Sequence, residues 1–184
     1  MARDLTFDEI AALHNNPVRM HVPLTDRQIT AIGQTIVQWS ILDDQIQQHV
    51  ARWRLLPNLP NDLRKKQIDH RAGSRISFLR TLGPYRMEHK PQILAEFLRV
   101  LSNVEKCKNR REWFAHGSFH VLDNQDPDRV GIIYKGHKFK FATAKIENLS
   151  LEISILAGWF FNLEWRIDEE IHRALHEIRL QLDR

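Results

Sequence analysis

A chain of 184 residues, 42% hydrophobic and 27% charged, suits one globular domain with a single core and excludes a largely disordered chain. Lysine and arginine exceed aspartate and glutamate by 27 − 23 = 4, a mild basic excess that favours anionic partners without selecting one. Cys107 is the one cysteine, which rules out an intrachain disulfide and makes a reducing, cytoplasmic location the expectation.

Near the N-terminus, Asp4, Asp8 and Glu9 stand where a signal peptide needs an apolar run. Thr6 and Glu9 have capping-box spacing and predict a short first helix. Pro17 and Pro23 hold the following linker open. A second capping box, Thr25 with Gln28, predicts the start of the first long helix. Its apolar positions run Ile29, Ile32, Ile36, Trp39, Ile46, Val50 and Trp53 in steps of three, four or seven. Asp43 interrupts that stripe. A carboxylate there is costly to bury unless paired, so it either orients Arg111 or His116 across the bundle or lies at the bundle's edge. Asp44 is the weaker candidate.

Pro57 and Pro60 end this helix. A second one is expected from Asn61, with Leu63, Ile68, Ala72, Ile76 and Leu79 facing inward and a stop at Gly83-Pro84. It is strongly basic. Arg64, Arg71 and Arg75 are expected on one face, either as an RNA-phosphate surface or as an ordinary solvated face. A third helix starts near Pro91. Leu94, Leu98, Leu101 and Val104 line its inner side, and the same spacing leads through Lys108 to Arg111 and Ala115. Gly117 supplies the expected stop.

Beyond Gly117 the pattern turns to short β-branched and aromatic runs, which predict a β-hairpin or three-stranded ribbon within 118–142. Its Tyr134, His137, Lys138 and Lys140 offer RNA stacking and charge, although short aromatic strands more often pack on their own bundle. Helical spacing returns over 146–183, with a break near Gly158. The most apolar stretch, Ile153 to Trp165, is too short to cross a bilayer, so no membrane partner is expected. The predicted fold is all-α: one domain over 1–184, a bundle of four main helices with a short N-terminal helix and a β ribbon between the last two long helices.

Residues 109–120, "NRREWFAHGSFH", bring Arg110, Arg111 and His116 to the end of the third helix. At about 100° per residue, Arg111 and His116 leave a regular helix about 140° apart. To act together they need the helix to unwind toward Gly117, or a second chain to supply one of them, as in a symmetric dimer. The plain alternative is that arginine and histidine complement the negative end of the helix dipole.

Arg111-Glu112-Trp113-Phe114-Ala115-His116 resembles the Arg-x4-6-His motif of the HEPN superfamily, and the Ala-His-Gly ending is similar to that of its members. The order of elements resembles bacterial HEPN proteins over most of the chain. The resemblance implies a helical bundle, dimeric, with two motifs facing each other across the interface. It further implies metal-independent endoribonuclease activity in toxin–antitoxin, defence or RNA-processing roles. Other members have lost catalysis and bind nucleotide, RNA or a protein partner. Two positions depart from the family pattern. Glu112 stands where many members have Asn, Asp or His, and Ser118 stands where one toxin branch has a tyrosine.

Metal-free RNA cleavage needs a proton acceptor for the 2′-OH, a proton donor for the leaving 5′ oxygen, and positive charge on the phosphate. Histidine and arginine supply these. The expected assignment is His116 as general acid/base and Arg111 as phosphate clamp. Arg110, Glu112 and Asp43 are expected in support, and Arg64, Arg71, Arg75 and Lys108 along the nucleic acid. RNA or a nucleotide, a second copy of the chain, and an antitoxin or regulatory protein are the expected partners. No cofactor is expected, since no Gly-rich phosphate loop occurs. His172 and His176 have a metal-compatible spacing but no supporting ligands in sequence, so no metal is expected. Cys107 lies between Lys106 and Lys108, which favour the thiolate, but an ordinary half-buried cysteine is the simpler reading.

Overall fold

Thr25 caps the first long helix as its sequence predicts. Its side chain accepts from the Gln28 amide, and the Gln28 side chain accepts from the Thr25 amide in return. In the computed structural model, which describes residues 24–120 and 128–169, this helix is α1, Asp26–Trp53. The predicted helix at Thr6 and the end of the predicted C-terminal helix, residues 170–183 with His172 and His176, lie outside the described residues.

α1 buries five of the seven expected positions, with its buried face turned away from Ile29 and Ile36. Ala31, Ile32, Thr35, Trp39, Leu42, Ile46, Val50 and Trp53 are buried, whereas Ile29 and Ile36 face solvent. Asp43 therefore sits at the flank of the buried face rather than inside it.

The basic helix is split. α2 spans Asn61–Lys65 and α3 spans Ala72–Arg86. Between them the Lys66 carbonyl accepts from Arg54, and Asp69 Oδ1 accepts from the Arg71 amide. These bonds compete with helix continuation. The five-residue step from Leu63 to Ile68 was the sequence sign of the break. Gly83-Pro84 does not stop α3, which runs on to Arg86. Gly83 instead marks a close helix–helix approach, since a Cβ there would lie 2.9 Å from the Phe97 ring.

α4, Pro91–His116, buries Phe97, Val100, Leu101, Val104, Cys107 and Phe114. Gly117 ends it for a different reason from the expected left-handed cap. Its φ is −82°, an extended conformation, and a Cβ there would overlap Ile132 and the Trp113 carbonyl.

The ribbon is a three-stranded antiparallel sheet in the order β1-β2-β3: Ser118–His120, Arg129–Tyr134 and His137–Ala142. Lys135 (φ 50°) and Gly136 (φ 79°) form the β2–β3 turn, as a two-residue hairpin with both central φ values positive requires. Pairing Val130 with Phe141 and Ile132 with Phe139 puts one apolar face against α4. Trp113 stacks there on Phe139 and Phe141.

α5 spans Thr143–Phe161 and α6 Leu163–Ile167. The break falls at Asn162, whose side chain donates to the Gly158 carbonyl at 2.9 Å. The architecture is thus mainly helical, with α1, α3, α4 and α5 around one core and the sheet inserted between the last two of them. Among the described residues no helix is long and apolar enough to cross a membrane.

Candidate functional site

Three elements enclose a cleft of about 770 Å³: Trp39 and Asp43 of α1, the start of α3, and Lys108, Arg111 and Glu112 of α4. Arg71 and Arg75 reach it from α3. Six of the nine residues singled out in the sequence therefore share one concavity: Asp43, Arg71, Arg75, Lys108, Arg111 and Glu112. The inner stripe of α4 brings Lys108 and Arg111 there because helical spacing carries it past the hydrophobic part of the bundle.

The charges inside are not equivalent. Arg75 Nη2 donates to both Asp43 oxygens, at 2.7 and 2.5 Å. Asp43 thus orients Arg75, and neither Arg111 nor His116. Lys108 Nζ lies 3.1 Å from Glu112 one turn along, and the Tyr134 hydroxyl donates to the same carboxylate at 3.3 Å. Partial burial pushes the Glu112 carboxyl up. The hydrogen bonds from Lys108 and Tyr134, with the charges of Lys108 and His116, outweigh burial and hold it below the ordinary value. Arg71 points to solvent beside Asp69, at 2.9 Å.

Arg111 is different. Its guanidinium lies over the Trp39 ring, 5.9 Å from the centroid. Among the described residues it makes no ion pair, and its Nε is buried without an acceptor. Arg75 Nε is unmet in the same way. Buried donors are normally satisfied, so two unmet guanidinium nitrogens beside one cleft set its wall apart from the paired charges of the bundle. The amides opening α3 face the same region without a side-chain cap, adding the positive end of a helix dipole.

His116 is exposed at the last turn of α4 and does not line this cleft. α4 stays helical through His116, so the helix does not unwind to bring it to Arg111. The two side chains leave about 140° apart. The arrangement divides the observations that separate chemistry from simple dipole capping. Arg111 is unpaired, as a phosphate clamp needs, but His116 stands outside the Arg111 cleft of its own chain.

Two other expectations are corrected. Arg110 lies on the opposite flank of α4, paired with Glu152 at 2.6 Å. Arg64 donates to the Leu56 and Leu59 carbonyls at 2.9 and 3.3 Å and so fastens the loop after α1. It shares no face with Arg71 and Arg75, because the chain is not helical between α2 and α3. Cys107 is buried, and desolvation first, then Glu152, raises its thiol to about 11. The flanking lysines do not make it a thiolate.

Trp39 and the start of α3 contribute to the site without having been singled out for it, and Tyr134, expected to offer RNA stacking, donates to Glu112 beside it. Trp39 reads in sequence as core, and only packing places its ring under Arg111. Gly73 carries a weak signal, a small residue in a first turn. A Cβ there would lie 3.5 Å from Lys108 Cε, so the Lys108 side chain lies against the first turn of α3 beside the cleft. Comparison with protein-family models, curated proteins and solved structures finds no match for this chain.

Proposed function

We propose that the chain is a HEPN-like, metal-independent endoribonuclease acting in the cytoplasm in a toxin or defence role. The observation that carries this reading is the unpaired Arg111 guanidinium facing an open cleft, on the helix that ends in an exposed histidine. Arg111 binds the scissile phosphate and stabilises the charge that builds in the transition state. A histidine takes the 2′-OH proton, O2′ attacks phosphorus, and the 5′ oxygen leaves with a proton. The products carry 2′,3′-cyclic phosphate and 5′-hydroxyl ends.

Because His116 leaves α4 away from Arg111, a complete site in this reading takes its histidine from a second copy. A homodimer is supported by the solvent side of α1, where Ile29, Ile36, Val37 and Ile41 are 36–58% exposed. Ile36 also borders the cleft. Contiguous exposed apolar side chains of this kind mark association surfaces. An antitoxin or regulatory protein is a further proposed partner.

A second reading is a non-catalytic module that binds nucleotide or RNA through the same cleft. Glu112 favours it, since a carboxylate beside the phosphate site weakens the field that cleavage needs. The deciding experiment is cleavage of a mixed RNA pool with EDTA present, by wild type, Arg111→Ala and His116→Ala. The endonuclease reading expects cyclic-phosphate products and a loss of about 10²–10⁴-fold in each folded variant. Mixing the two inactive variants should restore part of the activity if sites form across a dimer. Cleavage that survives both substitutions sinks the assignment.

A further inference from the structure

The end of α4 has a second flank. Arg110 and Trp113 look away from the Arg111 cleft into a groove of about 510 Å³, which Lys140 and Phe141 of β3 and Lys145 of α5 complete. Arg110, Lys140 and Lys145 line it with one carboxylate, Glu152, which Arg110 already engages at 2.6 Å. Lys140 and Lys145 are exposed and make no ion pair among the described residues. The aromatic side of the groove is rigid. Trp113 is half-buried and stacks on Phe139 at 5.3 Å and on Phe141 at 5.1 Å, with interplanar angles of 16° and 29°.

Unpaired lysines beside a fixed indole match a single nucleic-acid strand, which offers a phosphate to the cations and a base face to the ring. A duplex keeps its base faces stacked inside, and an acidic peptide would use the lysines alone. Position adds to this. Around α4, His116 lies about 40° from Glu112 on one side and about 60° from Trp113 on the other. It therefore stands on the ridge between the two grooves.

We propose that the Arg110–Trp113–Lys140–Lys145 groove binds single-stranded RNA adjoining the Arg111 cleft, with the strand turning round the end of α4 past His116. This rests on the reading of the Arg111 cleft as the place of RNA chemistry. With side chains, α4 is about 10–12 Å across. A strand reaching both flanks thus spans several nucleotides, within the ~4–16 that single-strand sites take.

The test is fluorescence anisotropy with a labelled RNA of about 12 nucleotides, using full-length His116→Ala to suppress cleavage. Lys140→Glu combined with Lys145→Glu should weaken binding at least about 10-fold. It should also reduce the log–log salt slope by about 1.4, or 0.7 for each of the two phosphates no longer neutralised. Trp113→Leu should weaken binding about 5-fold or more. The lysine variant keeps the test decisive if Trp113→Leu does not fold, because both lysines are exposed. Unchanged affinity and slope in the lysine variant, equal binding of a duplex, or no RNA binding at all would overturn the proposal. So would binding of a polyglutamate peptide with the same lysine dependence and no effect of Trp113→Leu, which would assign the groove to an acidic protein. Lysine-sensitive RNA binding without any wild-type cleavage would sustain the groove and sink the endonuclease reading. Cleavage that depends on Arg111, with lysine-independent binding, would do the reverse.

Discussion

Glu164 and Arg111 are both partly buried charges on helices of one bundle, yet their surroundings differ in kind. Glu164 lies 3.1 Å from His49 Nδ1, accepts from Trp53 Nε1 at 2.5 Å and from Arg86 Nη2 at 2.7 Å. Arg86 is also held by Asp168 at 2.6 Å, and His49 Nε2 donates to the Phe160 carbonyl at 2.9 Å. Around Arg111, by contrast, Nε meets no acceptor and an aromatic face is the main neighbour. A network whose members satisfy one another ties α1, α3, α5 and α6 together, whereas a cation left unmatched beside an open cleft has capacity for a ligand. Burial alone does not separate these two charges. Pairing does.

The comparison breaks most visibly at Glu164. Burial alone would raise its carboxyl, but hydrogen bonds from His49, Arg86 and Trp53 and the Arg86 charge bring it down to about 2 from the ordinary 4.5. A depressed carboxyl stabilises the fold fully above 4.5, and this contribution is lost as pH falls through about 2. The shift corresponds to about 3 kcal/mol. Glu164→Gln should therefore lower Tm by about 6–12 °C at neutral pH, with the proposed RNA cleavage, measured per folded molecule, unchanged. Its Tm should also fall less than that of wild type between pH 4.5 and 2, as thermal melts across that range will show. An unchanged Tm would remove Glu164 as the structural counterpart of Arg111.

A smaller loss is expected where the helix carrying the motif meets the sheet. Gly117→Ala drives a methyl into Ile132 and the Trp113 carbonyl, an overpacking worth about 1–3 kcal/mol. Thermal denaturation should show Tm lowered by about 2–10 °C. A neutral result would mean that the α4–β1 junction yields freely. The smallest effect has the opposite sign. Arg111→Met removes a buried donor that has no acceptor while keeping bulk against Trp39. It should leave Tm unchanged or raise it by about 1–4 °C, even as the proposed RNA cleavage is lost. A fall as large as that of Glu164→Gln would make Arg111 a structural residue.

The Lys108–Arg111 part of the site was legible because it depends on one helix. The step pattern from Leu101 and Val104 continues to Lys108 and Arg111, and helical geometry turns them the same way. Asp43 was legible as an anomaly but not as a partner of Arg75, since nothing local links residues that far apart in the chain. Arg64 misled because the basic run reads as one helix until Arg54 and Asp69 bind the backbone between its halves. Arg110 misled because adjacent residues on a helix point about 100° apart, which sent it to the other groove.

The sequence by itself determined the capped start of α1, the mainly helical class, the inner face of α4 and the place of the sheet. These follow from contacts within a few residues: caps, periodicity and turn chemistry. Only the tertiary structure decided how far the buried face of α1 turns from Ile29 and Ile36, what holds the break in the basic helix, and which charges find partners. Packing and ion pairing join residues far apart in the chain, and their geometry is set when the helices dock. That docking pairs Asp43 with Arg75 and Glu164 with Arg86, and leaves Arg111 over Trp39 in the cleft with no ion pair among the described residues.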